Sequence, residues 1–310
     1  MKILIRQIVL FLLFITVAIQ ATPTSIQKVT FSLFLIEQID AVLEYYRCHK
    51  DADPLCQGEQ SLRRVDALIR LKNLISQIPA RKTLTVGQLT SEFTSLPINP
   101  SGKIRLTRYA TFTVMGRRRR NAVYNTPLLS PPGDEADLLR FRFTKQEILN
   151  GAIPESAACA LVWLKRSDFE EGLMQGCIRV RLENGDQPYF NVSRNNGRPY
   201  QTGLNAKAQT RYWFFREVGQ THGYGLWSDW QLPIFPMTAL AGDIIHFGLG
   251  APILLTKGNW LHLAILADNG GAFEKNNQQL DLFLGTMKNR KEFQNLNQSL
   301  PEWVDGLILE

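Results

Sequence analysis

The sequence predicts a mainly β protein that carries an α-helical hairpin near its N-terminal end. Apolar residues recur at three- and four-residue spacing between residues 26 and 79, whereas from about residue 84 they alternate with polar ones in short runs. Those later runs are broken by Gly, Asn and Pro, the residues that turns require. At 310 residues, 45% hydrophobic and 20% charged, the chain is long enough for one large or two ordinary domains and too apolar for wholesale disorder.

Lys2 and Arg6 precede "IVLFLLFITVAI", and "IQA" ends on the small residue Ala21. Basic, apolar and small residues in that order predict a secretory signal over residues 1–21, with the mature chain starting near Thr22 and exported to the periplasm or beyond. The apolar stretch is short for a stable membrane span, and no Cys follows it to accept a lipid. A retained N-terminal anchor is the alternative. Export permits disulfides. Cys48 and Cys56 flank the polar "HKDADPL" and are expected to close a short loop, while Cys159 and Cys177 could pair or sit as buried thiols. The chain has no Cys-x-x-Cys, which argues against redox catalysis and a zinc knuckle.

Residues 22–83 form the predicted helical region. "FSLFLIEQIDAVLEYYR" and "EQSLRRVDALIRLKNLISQI" are amphipathic, and Pro79 stops the second. "KIRLTRYATFTVMG", "NAVYNTPLL", "GCIRVRLENG" and "QPYFNVSRNNG" then read as strands. Between them "TKQEILNGAI" and "KRSDFEEGLMQG" read as short helices with a Thr or Ser cap and acidic residues in the early turns. "RYWFFREV", "TALAGDIIHFGLGAPILL", "WLHLAILAD" and "LDLFLG" return to strand. Many short strands are most simply one or two small barrels.

The formal charge of +7 sits partly in Arg117–Arg120, which lacks interleaved aromatics and reads as a solvated loop better than as a nucleic-acid footprint. His49, His222, His246 and His262 have no metal-ligand spacing. There is no Gly-x-Ser-x-Gly elbow and no phosphate loop, and "HGYG" and "GLGAP" lack the third glycine of a dinucleotide fold. No cofactor or metal is therefore predicted. Carboxylates and aromatics remain, the ingredients of a carbohydrate site. Asp268 ends an apolar run on an Asn-Gly-Gly turn, and Asp281 interrupts the run Leu280–Leu284. Burying a carboxylate there is costly unless it is paired or keeps its proton. By pattern alone Asp268 is a hairpin turn and Asp281 an edge-strand residue facing water.

Several stretches in order carry a resemblance: "FTKQEILNGAI"; Gln175-Gly176; the turn Asn195-Asn196-Gly197-Arg198-Pro199-Tyr200; "RYWFFRE"; Asp243 with Gly250; Asp268-Asn269-Gly270-Gly271-Ala272; and Asp281-Leu282-Phe283. Over roughly residues 100–286 the chain resembles the membrane-bound lytic murein transglycosylase A family. That resemblance implies a double-psi β-barrel built from 84–111 and 209–310, with a smaller β domain, 112–208, inserted into it. It also implies that the groove between them holds a peptidoglycan strand and that the β-1,4 bond between N-acetylmuramic acid and N-acetylglucosamine is cleaved with formation of a 1,6-anhydro ring. Asp281 would be the acid/base, Asp268 its tuning neighbour, and Asp243 a contributor at the barrel floor or groove edge. Gln175, Gly176, Asn195, Asn196, Gly197 and Tyr200 would contact the glycan from one lip, and Gly270 and Gly271 would admit it closely from the other. Tyr200, Trp227 and Trp230 are candidates for stacking on sugar faces. Phe273-Glu274-Lys275 stands where the family has Ile-Lys-Gly. Two other readings are a non-catalytic cell-wall glycan-binding protein and a hydrolase in which Asp268 and Asp281 divide the two-carboxylate work.

Overall fold

The computed structural model describes residues 27–78, 84–201, 203–224, 231–271 and 273–310. The predicted leader, Pro79, Trp227 and Trp230 lie outside the described residues. The N-terminal hairpin is present. Helix α1 (Leu35–His49) buries Leu35, Ile39, Val42 and Tyr46, and α2 (Gly58–Ser76) buries Leu68, Leu71 and Ile75. That spacing is one stripe per helix. The expected Cys48–Cys56 disulfide does not form, and all four cysteines are free. Cys48 lies exposed on the last turn of α1 and donates to Glu44 Oε1 at 3.2 Å, whereas Cys56 is buried. Cys159 is exposed beside Ser130, whereas Cys177 is buried.

After the hairpin the chain forms α3 (Val86–Glu92), β1 (Ser95–Pro97), β2 (Lys103–Met115) and β3 (Thr126–Leu129). There follow α4 (Lys145–Leu149), β4 (Ala160–Leu164), α5 (Arg166–Gln175), β5 (Cys177–Arg181), β6 (Tyr189–Asn195) and β7 (Trp213–Val218). The last part holds β8 (Ala239–Ala241), α6 (Ile244–Phe247), β9 (Pro252–Lys257), β10 (Trp260–Asp268), β11 (Gln279–Met287), α7 (Arg290–Gln298) and β12 (Trp303–Leu309). Helix α3 falls where strand grammar was expected to begin. Thr85 and Gln88 cap it reciprocally, a Thr-x-x-Gln box. Thr144 and Glu147 cap α4 in the same way, but α5 starts without a side-chain cap, contrary to the Ser expected there. Residues 238–255 are not continuous strand, because Asp243 caps the single turn of α6 inside them.

The topology is sheet-dominated and mixed. Ten strands run in the order β1-β12-β9-β10-β8-β11-β2-β5-β6-β7, and β3 pairs with β4 separately. Since β12 also pairs with β2, the strands β12, β9, β10, β8, β11 and β2 close on one another into a ring. The far half of β2 leaves that ring and pairs with β5 instead, Phe112 to Met115 against Ile178 to Arg181. Two apolar clusters result. The first draws on Val29 to Phe112 and Leu232 to Leu309, and the second on Leu128 to Phe215. Strand β2 serves both, with Leu106 and Phe112 in the first and Val114 packed on the second. Among the described residues no helix is long and apolar enough to cross a membrane.

Candidate active site

Strand β8 sets the geometry of the site. It runs parallel to β10 on one side and antiparallel to β11 on the other. Ala241 is the register partner of Asp268 on β10 and of Asp281 on β11. The two aspartates are thus level, one on each side of a three-residue strand. A bulge makes this possible: Leu266 pairs with Leu240 and Asp268 with Ala241, so Ala267 is the extra residue. An inserted residue kinks its strand and re-aims the side chain that follows. Asp268 is thereby turned inward at the end of an apolar run instead of facing solvent on a turn.

Asp268 is 8% exposed. Its Oδ2 accepts from the Tyr109 hydroxyl at 2.7 Å and its Oδ1 from the Asn269 amide at 2.8 Å. Burial pushes its pKa up to about 7, even though both hydrogen bonds favour the ionised form. Asp281 is half-buried and its Oδ1 is sealed from solvent with no hydrogen-bond partner. Its pKa is also pushed up to about 7, first by burial and then by the charge of Asp268, against the Thr107 hydroxyl and the Arg108 guanidinium. A buried carboxyl oxygen without a donor fits a protonated acid better than a carboxylate. The pair can therefore hold a proton near neutrality.

Tyr109 and Thr107 come from β2, which pairs with β11 at Phe283↔Tyr109 and Asp281↔Thr107. Residues two apart share a strand face, so both side chains reach the aspartates from one side. Burial beside Asp268 raises the Tyr109 pKa well above its ordinary value, which keeps the phenol a donor. On the other side Gly223 closes over Asp268: a Cβ there would lie 2.8 Å from the Asp268 carboxyl carbon. Only a glycine fits. Neither Tyr109 nor Gly223 was marked as a site residue by the sequence, because neither has a local signal. They are 159 and 45 positions from Asp268 and meet it only through strand pairing and loop return.

The other predicted residues divide. Gln175 ends α5 and accepts from the Ala110 amide at 3.2 Å, one residue from Tyr109, while its amide donates to Glu171. Gly176 caps that helix in the left-handed region, at φ 76°. Asp243 leaves β8 two residues beyond Ala241, but its carboxylate accepts from the amides of Ile245 and His246 and so holds α6. Asn195 accepts from the Gly197 amide, and Asn196 is spent on Phe143, Thr210 and Tyr212. Both asparagines are buried and tie the turn to its neighbours, and Gly197 lies against Phe141. Tyr200 is 53% exposed, with Arg211 over its ring. Gly270 packs near Phe273, and Gly271 lies against the Arg211 guanidinium. Lys275 adopts φ 58°, so it takes a left-handed conformation where the resembling motif has glycine.

No protein-family model matches the chain, and no curated protein matches it either. Solved structures do. A membrane-bound lytic murein transglycosylase from Agrobacterium tumefaciens is similar at a TM-score of 0.66 and 15% identity, over 89% of this chain and 91% of that one. E. coli MltA with bound chitohexaose is similar at 0.62 and 12% identity, over 88% and 90%. MltA from Neisseria gonorrhoeae is similar at 0.59 and 16% identity, over 89% and 87%. At these identities the likeness establishes that the chain has the fold of those proteins along nearly its whole length.

Proposed function

We propose that this chain, which shares its fold with lytic murein transglycosylases, is itself a lytic transglycosylase of peptidoglycan. The observation that carries the reading is the level pair of buried aspartates on β10 and β11, each with its pKa pushed up to about 7. An acid catalyst must keep a proton at working pH and then act as a base, which favours a pKa near neutrality. Asp281, with its unpartnered Oδ1, gives its proton to the glycosidic oxygen as the β-1,4 bond between N-acetylmuramic acid and N-acetylglucosamine breaks. The muramic C6 hydroxyl then attacks C1 and returns its proton to Asp281, leaving a 1,6-anhydro ring. No water and no second catalytic carboxylate are consumed. Asp268, fixed by Tyr109 and the Asn269 amide, raises the proton affinity of Asp281 through its charge.

The closed ring of strands is proposed to be the double-psi barrel, with 112–208 as an inserted second domain. The glycan strand would lie between the two apolar clusters. Its contacts are proposed to come from Gln175, Tyr200, Gly197 and the Gly270-Gly271 turn, with Asn195 and Asn196 holding the Gly197 turn in place and Asp243 acting through the shape of the rim. The export and signal-peptide reading of residues 1–21 belongs to the same proposal.

Digestion of purified sacculi tests the reaction. Mass spectrometry should show muropeptides ending in anhydro rings. Reducing ends in their place would assign a hydrolase, and binding without products a glycan-binding protein. Asp281→Asn should abolish product release, and full activity in that variant would remove the acid/base assignment.

A further inference from the structure

Arg211 stands two residues before the start of β7 and touches both sides of the proposed cleft. Its guanidinium carbon lies 5.4 Å from the centroid of the Tyr200 ring and 5.5 Å from that of Trp213. A Cβ built on Gly271 would come within 3.1 Å of its Nη1, so the group also rests on the turn that begins at Asp268. Arg194 pairs with Asp134 and Asp137, Arg140 with Asp137, and Arg216 is bonded to Gln231. Among the described residues Arg211 has no carboxylate within 4.0 Å and no hydrogen-bond acceptor, and Glu274 is felt only as a more distant charge.

This is a costly arrangement without a ligand. Burial lowers the Arg211 pKa, yet a guanidinium stays charged in proteins. The two rings offset part of the lost hydration by cation–π attraction, but they satisfy none of its N–H donors. Those donors are not sealed in, since among the described residues the fully buried unpartnered atoms are Arg108 Nε, Ser193 Oγ, Tyr212 Oη and Asp281 Oδ1. They open toward solvent at the lip of the site. A rigid planar fork with unspent donors matches a carboxylate in two parallel hydrogen bonds.

We infer that Arg211 forms an anion subsite that takes a carboxylate of the peptide branch carried by the glycan. The inference rests on the peptidoglycan reading above and adds to it a substrate class: strands that still bear acidic peptides. Neutral sugar would be held elsewhere in the groove. The subsite would position the branch against the Gly271 turn and so fix the saccharide that enters beside Asp268 and Asp281.

The test uses the full chain carrying Asp281→Asn, which leaves substrate intact, and titration calorimetry with two probes: a disaccharide muropeptide with free peptide carboxylates, and chitohexaose. Adding Arg211→Gln should weaken muropeptide binding by about tenfold or more, the usual worth of a charged hydrogen-bonded contact, while chitohexaose affinity stays unchanged. Arg211→Lys, which keeps charge but loses the fork, should fall between. Unchanged chitohexaose affinity, with an unaltered thermal melt, also shows that the variant is folded. The subsite is overturned if the Asp281→Asn protein does not bind the muropeptide, if Arg211→Gln leaves muropeptide binding intact, or if both probes lose affinity equally. Sacculus digestion by the unsubstituted protein is read separately. Arg211-dependent muropeptide binding without anhydro products would keep the subsite and remove the lytic reading.

Discussion

Asp281 and Asp268 hold their protons more tightly in the folded chain than in the unfolded one, where an ordinary carboxyl ionises near pH ~4. The folded state therefore binds more protons than the unfolded state between about pH 4 and the folded values of about 7. Stability contributed by these groups is full below that window and is lost as pH rises through it. Asp281→Asn removes a group that must ionise in a buried place. Its melting temperature should exceed that of the parent by several degrees above pH 7, and the gap should close toward pH 4. The parent's lytic rate should fall as pH rises through about 7, because the acid form is lost. Asp268→Asn, lacking the repelling charge, should move that fall to lower pH. Gly223→Ala forces a methyl group to 2.8 Å from the Asp268 carboxyl carbon. It should cost about 1–3 kcal/mol by denaturant titration and reduce activity more than it reduces glycan binding. Of these residues, Asp281 was visible in the sequence as a carboxylate inside an apolar run. Asp268 was visible as a turn residue, and the bulge at Ala267 that turns it inward was not. Tyr109 and Gly223 carry no local site signal, and Arg211, though it opens the motif "RYWFFRE", shows nothing in sequence of the Gly271 turn that it meets.

At the scale of elements, what the sequence revealed follows burial. Strands β10 and β11 are almost wholly buried and were plain as apolar runs. Helix α7 has no fully buried residue and only a short stripe, Phe293 and Leu296, that packs half-buried on the first core, and β8 has just three residues. Helix α3 is only seven residues long and lies among strand-like segments, which hid it. One element contact is unusual for its chemistry. Lys145 of α4 is fully buried, donates to Glu170 of α5 at 2.8 Å and also bonds the Ala206 carbonyl. Glu170 is held in turn by Arg166. Removing Glu170 strands the buried Lys145 ammonium, whereas removing Lys145 leaves Glu170 with Arg166. Glu170→Ala should therefore cost about 3–5 kcal/mol by denaturant titration, and the double change Lys145→Met with Glu170→Met distinctly less.

Across the whole molecule, the helical hairpin is part of the first core and not an appendage. The Gln38 side chain bonds the Pro233 carbonyl and the Phe235 amide, and the Tyr46 hydroxyl bonds the Leu249 carbonyl. Asp53, in the turn between the helices, accepts from the hydroxyls of Tyr45 and Tyr224, each at 2.9 Å. Tyr224 adjoins the glycine that closes over Asp268, so the hairpin reaches the site through one side chain. Tyr224→Phe should lower stability by about 1 kcal/mol, as one lost hydrogen bond, and deletion through residue 78 should leave no cooperative melt by circular dichroism. The helices themselves were legible from their spacing, but their packing into the first core was not, because it depends on partners about 200 positions away. A last consequence comes from β2, which pairs with β12 at its start, with β11 as far as Phe112, and with β5 from Phe112 onward. A beam built into two rooms cannot be pulled from one without loosening the other. Heating should therefore take both halves down in one endotherm, and any widening of the cleft has to flex through the few residues where that beam crosses the wall.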